Sequence, residues 1–370
     1  MPPAASKRIL VVDDSTVMRS LLRSVLLSAP GFEVAGTAGD GESALRLIEE
    51  LRPDLVLLDV EMPVMDGLAT LRKLRSRGHK MPVIMCSALT QRGGRVTIEA
   101  LASGASDYVA KPNGQAGPAA AMQTLARELL PKLMALTSVD SSAPVLSLPS
   151  RIPPIIPRGE CVASSPAILV LGVSTGGPAA LDILLPALPR NFPLPVLIVQ
   201  HMPELFTRLL AERLAQRCAL LVSEAAEGAA VQPGRIAIAR GNWHLEVLPP
   251  SRSSLSPTLH LTQAPPENHC RPAVDVLFRT AAAHYGSGVL AVVLTGMGSD
   301  GLAGARLIRA RGGTVLAQDR ESSSVWGMPG AVAQAGLAQR ILPIREIAPE
   351  LIRLVSRAPS VRNQPCEVTA

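Results

Sequence analysis

Hydrophobic and polar positions along this chain alternate between two textures. Short runs of Leu, Ile and Val predict buried strands at Ile9–Val12, Asp54–Val60, Pro82–Ser87 and Asp107–Ala110. Between them lie stretches such as "ESALRLIEEL" and "GLATLRKLRSRG", whose apolar residues recur at helical spacing. Unbroken apolar strands separated by amphipathic helices predict a parallel sheet covered on both faces. The alternation fails in "SSAPVLSLPSRIPPIIPRGE", where proline forbids both a continuous helix and a ladder, so an extended, semi-rigid tether is expected there. It resumes with "ILVLGVS", "LPVLIVQHM", "RIAIARG", "GVLAVVLTGMGSDG" and "GGTVLAQD". The expected organisation is an α/β domain over 7–125, a helix end and Pro-rich linker over 126–165, a second, doubly wound and mostly parallel α/β domain over 166–356, and a frayed tail over 357–370.

Composition narrows the function classes. The chain has 370 residues, comfortable for two domains. The net charge is +6, but the basic residues are scattered singly without interleaved aromatics, so nucleic-acid binding is not expected. Cys86, Cys161, Cys218, Cys270 and Cys366 are far apart, with no Cys-x-x-Cys pair. That argues against a disulfide framework or a zinc site and for a reducing compartment. A strand-like run is reached by Ile9, too early for a secretory signal, and no apolar stretch approaches the ~20 residues that cross a bilayer. A cytoplasmic protein without direct membrane insertion is expected.

Candidate chemistry in the first domain gathers at strand ends. Asp13 and Asp14 follow the first strand, Asp59 ends the third, Ser87 the fourth, and Lys111 follows the fifth. Carboxyl ends of strands in an open α/β sheet meet at a crevice. Three carboxylates there repel one another unless a cation compensates, and Mg2+ is the natural hard, oxygen-seeking ion. A carboxylate facing a metal, a lysine and a hydroxyl is a candidate phosphoryl acceptor, because aspartate forms acyl phosphates.

In the second domain, "ILVLGVSTGGPAAL" runs from a strand through a glycine-rich turn into a helix. Such a turn cradles a phosphate or presents a nucleophilic serine. No Lys follows and Walker spacing is absent, so the phosphate reading loses ground. Ser174 needs a base. His201, at the end of the next strand, has the placement to serve, whereas His79, His244, His260, His269 and His284 lack it, His244 being the nearest rival. Asp300, in the turn "TGMGSDG", is the candidate that orients the imidazole. The N–H groups of Gly296, Gly298 and Gly301, with that of Met297, are expected to line an oxyanion hole. The order Ser, His, Asp differs from that of α/β-hydrolases.

Residues 7–125, through "ILVVDDS", "LVLLDVEMPVMDG", "PVIMCSA" and "GASDYVAKP", resemble a response-regulator receiver domain. The resemblance implies a flavodoxin-like, five-stranded parallel fold and phosphorylation at Asp59, with Asp13, Asp14 and Asp59 holding Mg2+. It also implies that Lys111 contacts the phosphoryl group and that Ser87 and Tyr108 reorganise on its arrival. "GVSTGGP", "VQHMP", "CRPAVDVLF", "LTGMGSDG" and "GMPGAV" resemble the catalytic domain of chemotaxis-type protein-glutamate methylesterases. That resemblance implies Ser174 as nucleophile, His201 as base, Asp300 as its partner, Thr175 and Met297 in support, and no cofactor in this domain. Methylated chemoreceptors as substrates, deamidation of receptor glutamines and a chemotaxis-type histidine kinase as phosphodonor follow from it. Two rivals remain: a DNA-binding response regulator, which would need a helix-turn-helix output, and a non-catalytic scaffold with a vestigial pocket.

Overall fold

The structure, a computed structural model, describes residues 6–88, 90–112, 117–137, 165–250 and 255–356. Most of the expected linker (138–164) and the tail over 357–370 lie outside the described residues. The first half runs β1 (Lys7–Val12), α1 (Thr16–Leu27), β2 (Phe32–Ala38), α2 (Gly41–Leu51), β3 (Leu55–Asp59), α3 (Gly67–Ser76), β4 (Val83–Ser87), α4 (Gln91–Ala102), β5 (Asp107–Ala110) and α5 (Gly117–Thr137). Its five strands pair in parallel in the order β2-β1-β3-β4-β5. Every residue of β3 and β4 is buried, as unbroken apolar runs require when helices cover both faces. Side chains open the helices: Ser15, Asp40, Asp66 and Thr90 each accept from a first-turn N–H, satisfying donors that a helix start leaves orphaned.

The second half continues β6 (Ile168–Val173), α6 (Gly177–Leu184), β7 (Val196–Gln200), α7 (Glu204–Ala215), β8 (Leu221–Glu224), β9 (Arg235–Ile238), β10 (His244–Leu248), β11 (Thr258–Thr262), α8 (Val274–Tyr285), β12 (Val289–Val293), α9 (Leu302–Ala310), β13 (Thr314–Gln318), α10 (Met328–Gln334), β14 (Arg340–Leu342) and α11 (Ile344–Ser356). Seven strands form a parallel sheet in the order β14-β13-β12-β6-β7-β9-β8. The fold class expected from the sequence is the one observed. β10 and β11 form a separate antiparallel pair, which hydropathy alone did not distinguish. β6 lies between β7 and β12, so chain direction across the sheet reverses there, and the crevice at the carboxyl ends opens at this switch point.

The two halves touch. Gly94 of α4 lies so close to α7 that a Cβ there would stand 2.8 Å from Leu209 Cδ1. Tyr108 of β5 packs its ring 4.4 Å from that of Phe206, and Arg95 pairs with Glu212 at 3.3 Å. Among the described residues no helix is long and apolar enough to cross a membrane.

Candidate active site

Parallel register assembles the site. Val173 of β6 pairs with Gln200 of β7, which puts Ser174 and His201, the next residue of each strand, at the same sheet edge. Ser174 N–H donates to Thr295 O at 3.0 Å, and His201 N–H to Val173 O at 3.1 Å. Gly176 takes a positive φ of 79° ahead of α6, and a Cβ there would stand 2.3 Å from Ser324 Oγ, so only glycine makes this turn without strain. Gly296 abuts the serine itself: its added Cβ would fall 2.7 Å from Ser174 Cβ.

His201 Nε2 lies 2.8 Å from Asp300 Oδ2. Asp300 is 3% exposed, and a buried carboxylate must be satisfied by donors. Oδ2 also accepts from Val274 N, while Oδ1 accepts from Asn268 Nδ2, Asp275 N and Gly301 N. These donors, after burial has opposed them, hold the Asp300 carboxyl below its ordinary value, the bond to His201 being the largest lowering cause. For His201, burial pulls the pKa down, but bonds to Asp300 and Cys270 outweigh it and lift it to about 9. The other ring nitrogen, Nδ1, faces Cys270 Sγ at 3.6 Å. Ser174 lines the same cavity as His201, yet among the described residues its hydroxyl makes no hydrogen bond.

The structure corrects part of the expected oxyanion hole. Gly296 N–H donates to Val325 O and Gly301 N–H to Asp300 Oδ1, so both amides are committed to holding the loop. Met297 and Gly298 line the cavity and remain. Thr175 spends its hydroxyl on Asp107 Oδ2 of the first domain, at 2.6 Å. His244, the rival base, is a structural residue: its Nε2 pairs with Pro265 O, and its Nδ1 accepts from Ala273 N.

The cavity, about 520 Å³, is shared between the two domains, with Asp107, Tyr108 and Lys132 facing Ser174, His201 and Met297. Sequence reasoning assigned no role to Asn268, Cys270, Asp275 or Gln200. Gln200 Nε2 donates to Ser174 O at 3.0 Å; a Gln ending a strand beside a candidate base was the available signal.

In the first domain, Asp13, Asp14 and Asp59 bring carboxylate oxygens within 4.8 Å of one another. Lys111 Nζ sits 2.8 Å from Asp13 and 2.7 Å from Asp59. Burial pushes the Asp59 carboxyl up to about 6, Lys111 opposing and Asp13 adding to the rise. One lysine among three carboxylates leaves net negative charge, and an all-oxygen donor set fits a hard divalent cation. Ser87 is fully buried at the end of β4. Tyr108 is turned toward the second domain, its ring packed at a 31° tilt against Phe206.

Both halves of the chain are similar to known proteins. The family model "CheB methylesterase" matches residues 169–351, and that of the response regulator receiver domain matches residues 9–122. A Nocardioides sp. protein named protein-glutamate methylesterase/protein-glutamine glutaminase is 49% identical over 354 residues, covering 95% of this chain and 96% of its own. One of the same name from Trichodesmium erythraeum is 44% identical, covering 94% and 99%. The crystal structure of the Thermotoga maritima CheB methylesterase catalytic domain is 44% identical, with a TM-score of 0.50, and matches 52% of this chain and all of that one.

Proposed function

This chain belongs to the CheB methylesterase family, and we propose that Ser174, His201 and Asp300 carry out hydrolysis of glutamate methyl esters on chemoreceptors, under control of phosphorylation at Asp59. The observation that carries the reading is the 2.8 Å bond between His201 Nε2 and the fully coordinated Asp300, at the sheet edge where Ser174 emerges. Asp300 fixes the ring and stabilises the imidazolium. Since Nε2 is taken, Nδ1 is the nitrogen that receives the serine proton. Ser174 Oγ attacks the ester carbon, His201 returns the proton to the departing methanol, and water then releases the carboxylate by the same route. The amides of Met297 and Gly298 are the oxyanion donors; one such donor contributes about 3 kcal/mol. Receptor glutamine passes through the same acyl-enzyme, with ammonia leaving.

Asp59 is the phosphoryl acceptor, with a chemotaxis-type histidine kinase as donor. Mg2+, held by Asp13, Asp14 and Asp59, offsets phosphoryl charge when bound. Lys111 neutralises the remaining oxygens, and Ser87 offers its hydroxyl to the arriving group. Unphosphorylated, the receiver roofs the cavity through Asp107–Thr175 and Tyr108–Phe206; phosphorylation shifts the population toward an open arrangement.

Methanol release from methylated receptor is the direct test. Ser174→Ala lowers it by about 10⁴-fold or more with the fold intact by circular dichroism. A Ser174→Ala protein that still releases methanol at the parental rate refutes the assignment.

A further inference from the structure

His201 shares its cavity with two nucleophiles, Ser174 and Cys270, and the mechanism uses only one. Cys270 Sγ stands 3.6 Å from Nδ1, the nitrogen left over once Asp300 takes Nε2. The thiol is held there by a tight turn. Glu267 and Cys270 exchange both backbone hydrogen bonds, at 3.1 and 2.9 Å, and the two residues between them, Asn268 and His269, take positive φ of 52° and 62°. That is the geometry of a type I′ turn, strained for a histidine. Asn268 anchors it by donating to both Asp275 and Asp300, so the carboxylate that orients the imidazole also positions the thiol. Donor atoms of Cys270, His201 and Asp300 lie within 4.8 Å of one another. Cys270 is half-buried and lines the cavity. Gln200, which lines it too, keeps a buried Oε1 without a partner among the described residues.

We propose that Cys270 is an activated thiol that His201 and Asp300 prepare for reaction with a hydroperoxide, and that its oxidation reversibly stops the esterase. This inference deepens the esterase reading and rests on it for the consequence, although not for the thiol chemistry. Nδ1 of His201, 3.6 Å from Sγ, is placed to take and hold the thiol proton. The thiolate sulfur attacks one peroxide oxygen, an S–O bond forms as the O–O bond breaks, and the departing oxygen takes the proton held at Nδ1. Cysteine is oxidised to sulfenic acid, and the peroxide is reduced to water or an alcohol. The new S–OH sits against the nitrogen that Ser174 requires. The other described thiols have no such setting: Cys86 is wholly buried with its pKa raised, and burial beside Asp182 pushes Cys218 up to about 11.

The test treats the full-length protein with limiting hydrogen peroxide. Dimedone capture with peptide mapping reports each cysteine separately, and methanol release is expressed as a fraction of each variant's own starting rate. We expect Cys270 to label at least tenfold faster than Cys218, and esterase loss to track that labelling and reverse with dithiothreitol. Cys270→Ser should keep its fraction, and His201→Gln should slow Cys270 labelling at least tenfold. Labelling is read whether or not methanol is released, so a failed esterase assignment leaves it interpretable. Equal labelling of Cys270 and Cys218, or equal fractional loss in Cys270→Ser, overturns the proposal.

Discussion

His201 illustrates how one side chain sets the behaviour of the site. Burial alone would favour the neutral imidazole, but Asp300 and Cys270 hold the ring protonated to about pH 9. In the proposed mechanism only the neutral ring accepts the Ser174 proton, so kcat/KM for ester hydrolysis should climb from pH 7 with its midpoint near 9 and level off about one unit above it. Asp300→Asn removes the charge that sustains the imidazolium. The limb should then move down toward the ordinary histidine value near 6.5, while the plateau falls about 10³- to 10⁴-fold. A pH–rate series on both proteins checks this, and an unmoved limb would detach Asp300 from the base. The placement of Ser174 and His201 at one sheet edge was legible in the sequence because each directly follows an apolar strand, and Asp300 lies in the glycine-rich turn after a third. Cys270 was not, since its place depends on a turn built from two non-glycine residues at positive φ, for which "ENHC" carries little signal. The committed amides of Gly296 and Gly301 were equally hidden: a glycine-rich loop announces close approach, not which N–H groups stay free.

Elements were legible in proportion to burial. β6, β7 and β12 are buried along their whole length and appear as apolar runs. β2 and β8, at sheet edges, mix exposed and half-buried positions and escape the same reading. α4 shows a different limit. Its "RGG" weakens an isolated helix, yet Gly94 is what allows α4 to lie against Leu205 and Leu209 of α7. A larger side chain overpacks that contact, at a cost of about 1–3 kcal/mol, whereas the exposed Arg95–Glu212 pair contributes little. Gly94→Leu should therefore raise methanol release without phosphodonor at least fivefold while Asp59 still takes up phosphate. An unchanged basal rate with normal phosphorylation would show that this helix pair does not restrain the site.

Across the whole molecule, β5 connects the two chemistries. Lys111, just past its carboxyl end, contacts Asp13 and Asp59. At its other end Asp107 accepts from Thr175, the neighbour of Ser174, and pairs with Lys132. Four residues of strand span roughly 13 Å, so the phosphoacceptor and the serine turn share one short, rigid bar. In the proposed switch, a phosphoryl group drawing Lys111 to itself at one end disturbs a bar whose other end is bonded to the Ser174 turn. Apolar packing continues across the same boundary, through Leu101 and Tyr108 into Phe206 and Leu209, so the docked arrangement is specific but held by few polar contacts. A tenfold activation then requires a shift of only about 1.4 kcal/mol in the docking equilibrium. Acetyl phosphate with Mg2+ should produce a rise of that order in the full chain, and Asp59→Asn should abolish it. Chelation by EDTA should remove the stimulation while leaving the basal rate in place, because the proposed step at Ser174 runs through His201 and Asp300 alone. If EDTA instead abolished basal methanol release, the division into a metal-dependent switch and a metal-independent esterase would be wrong.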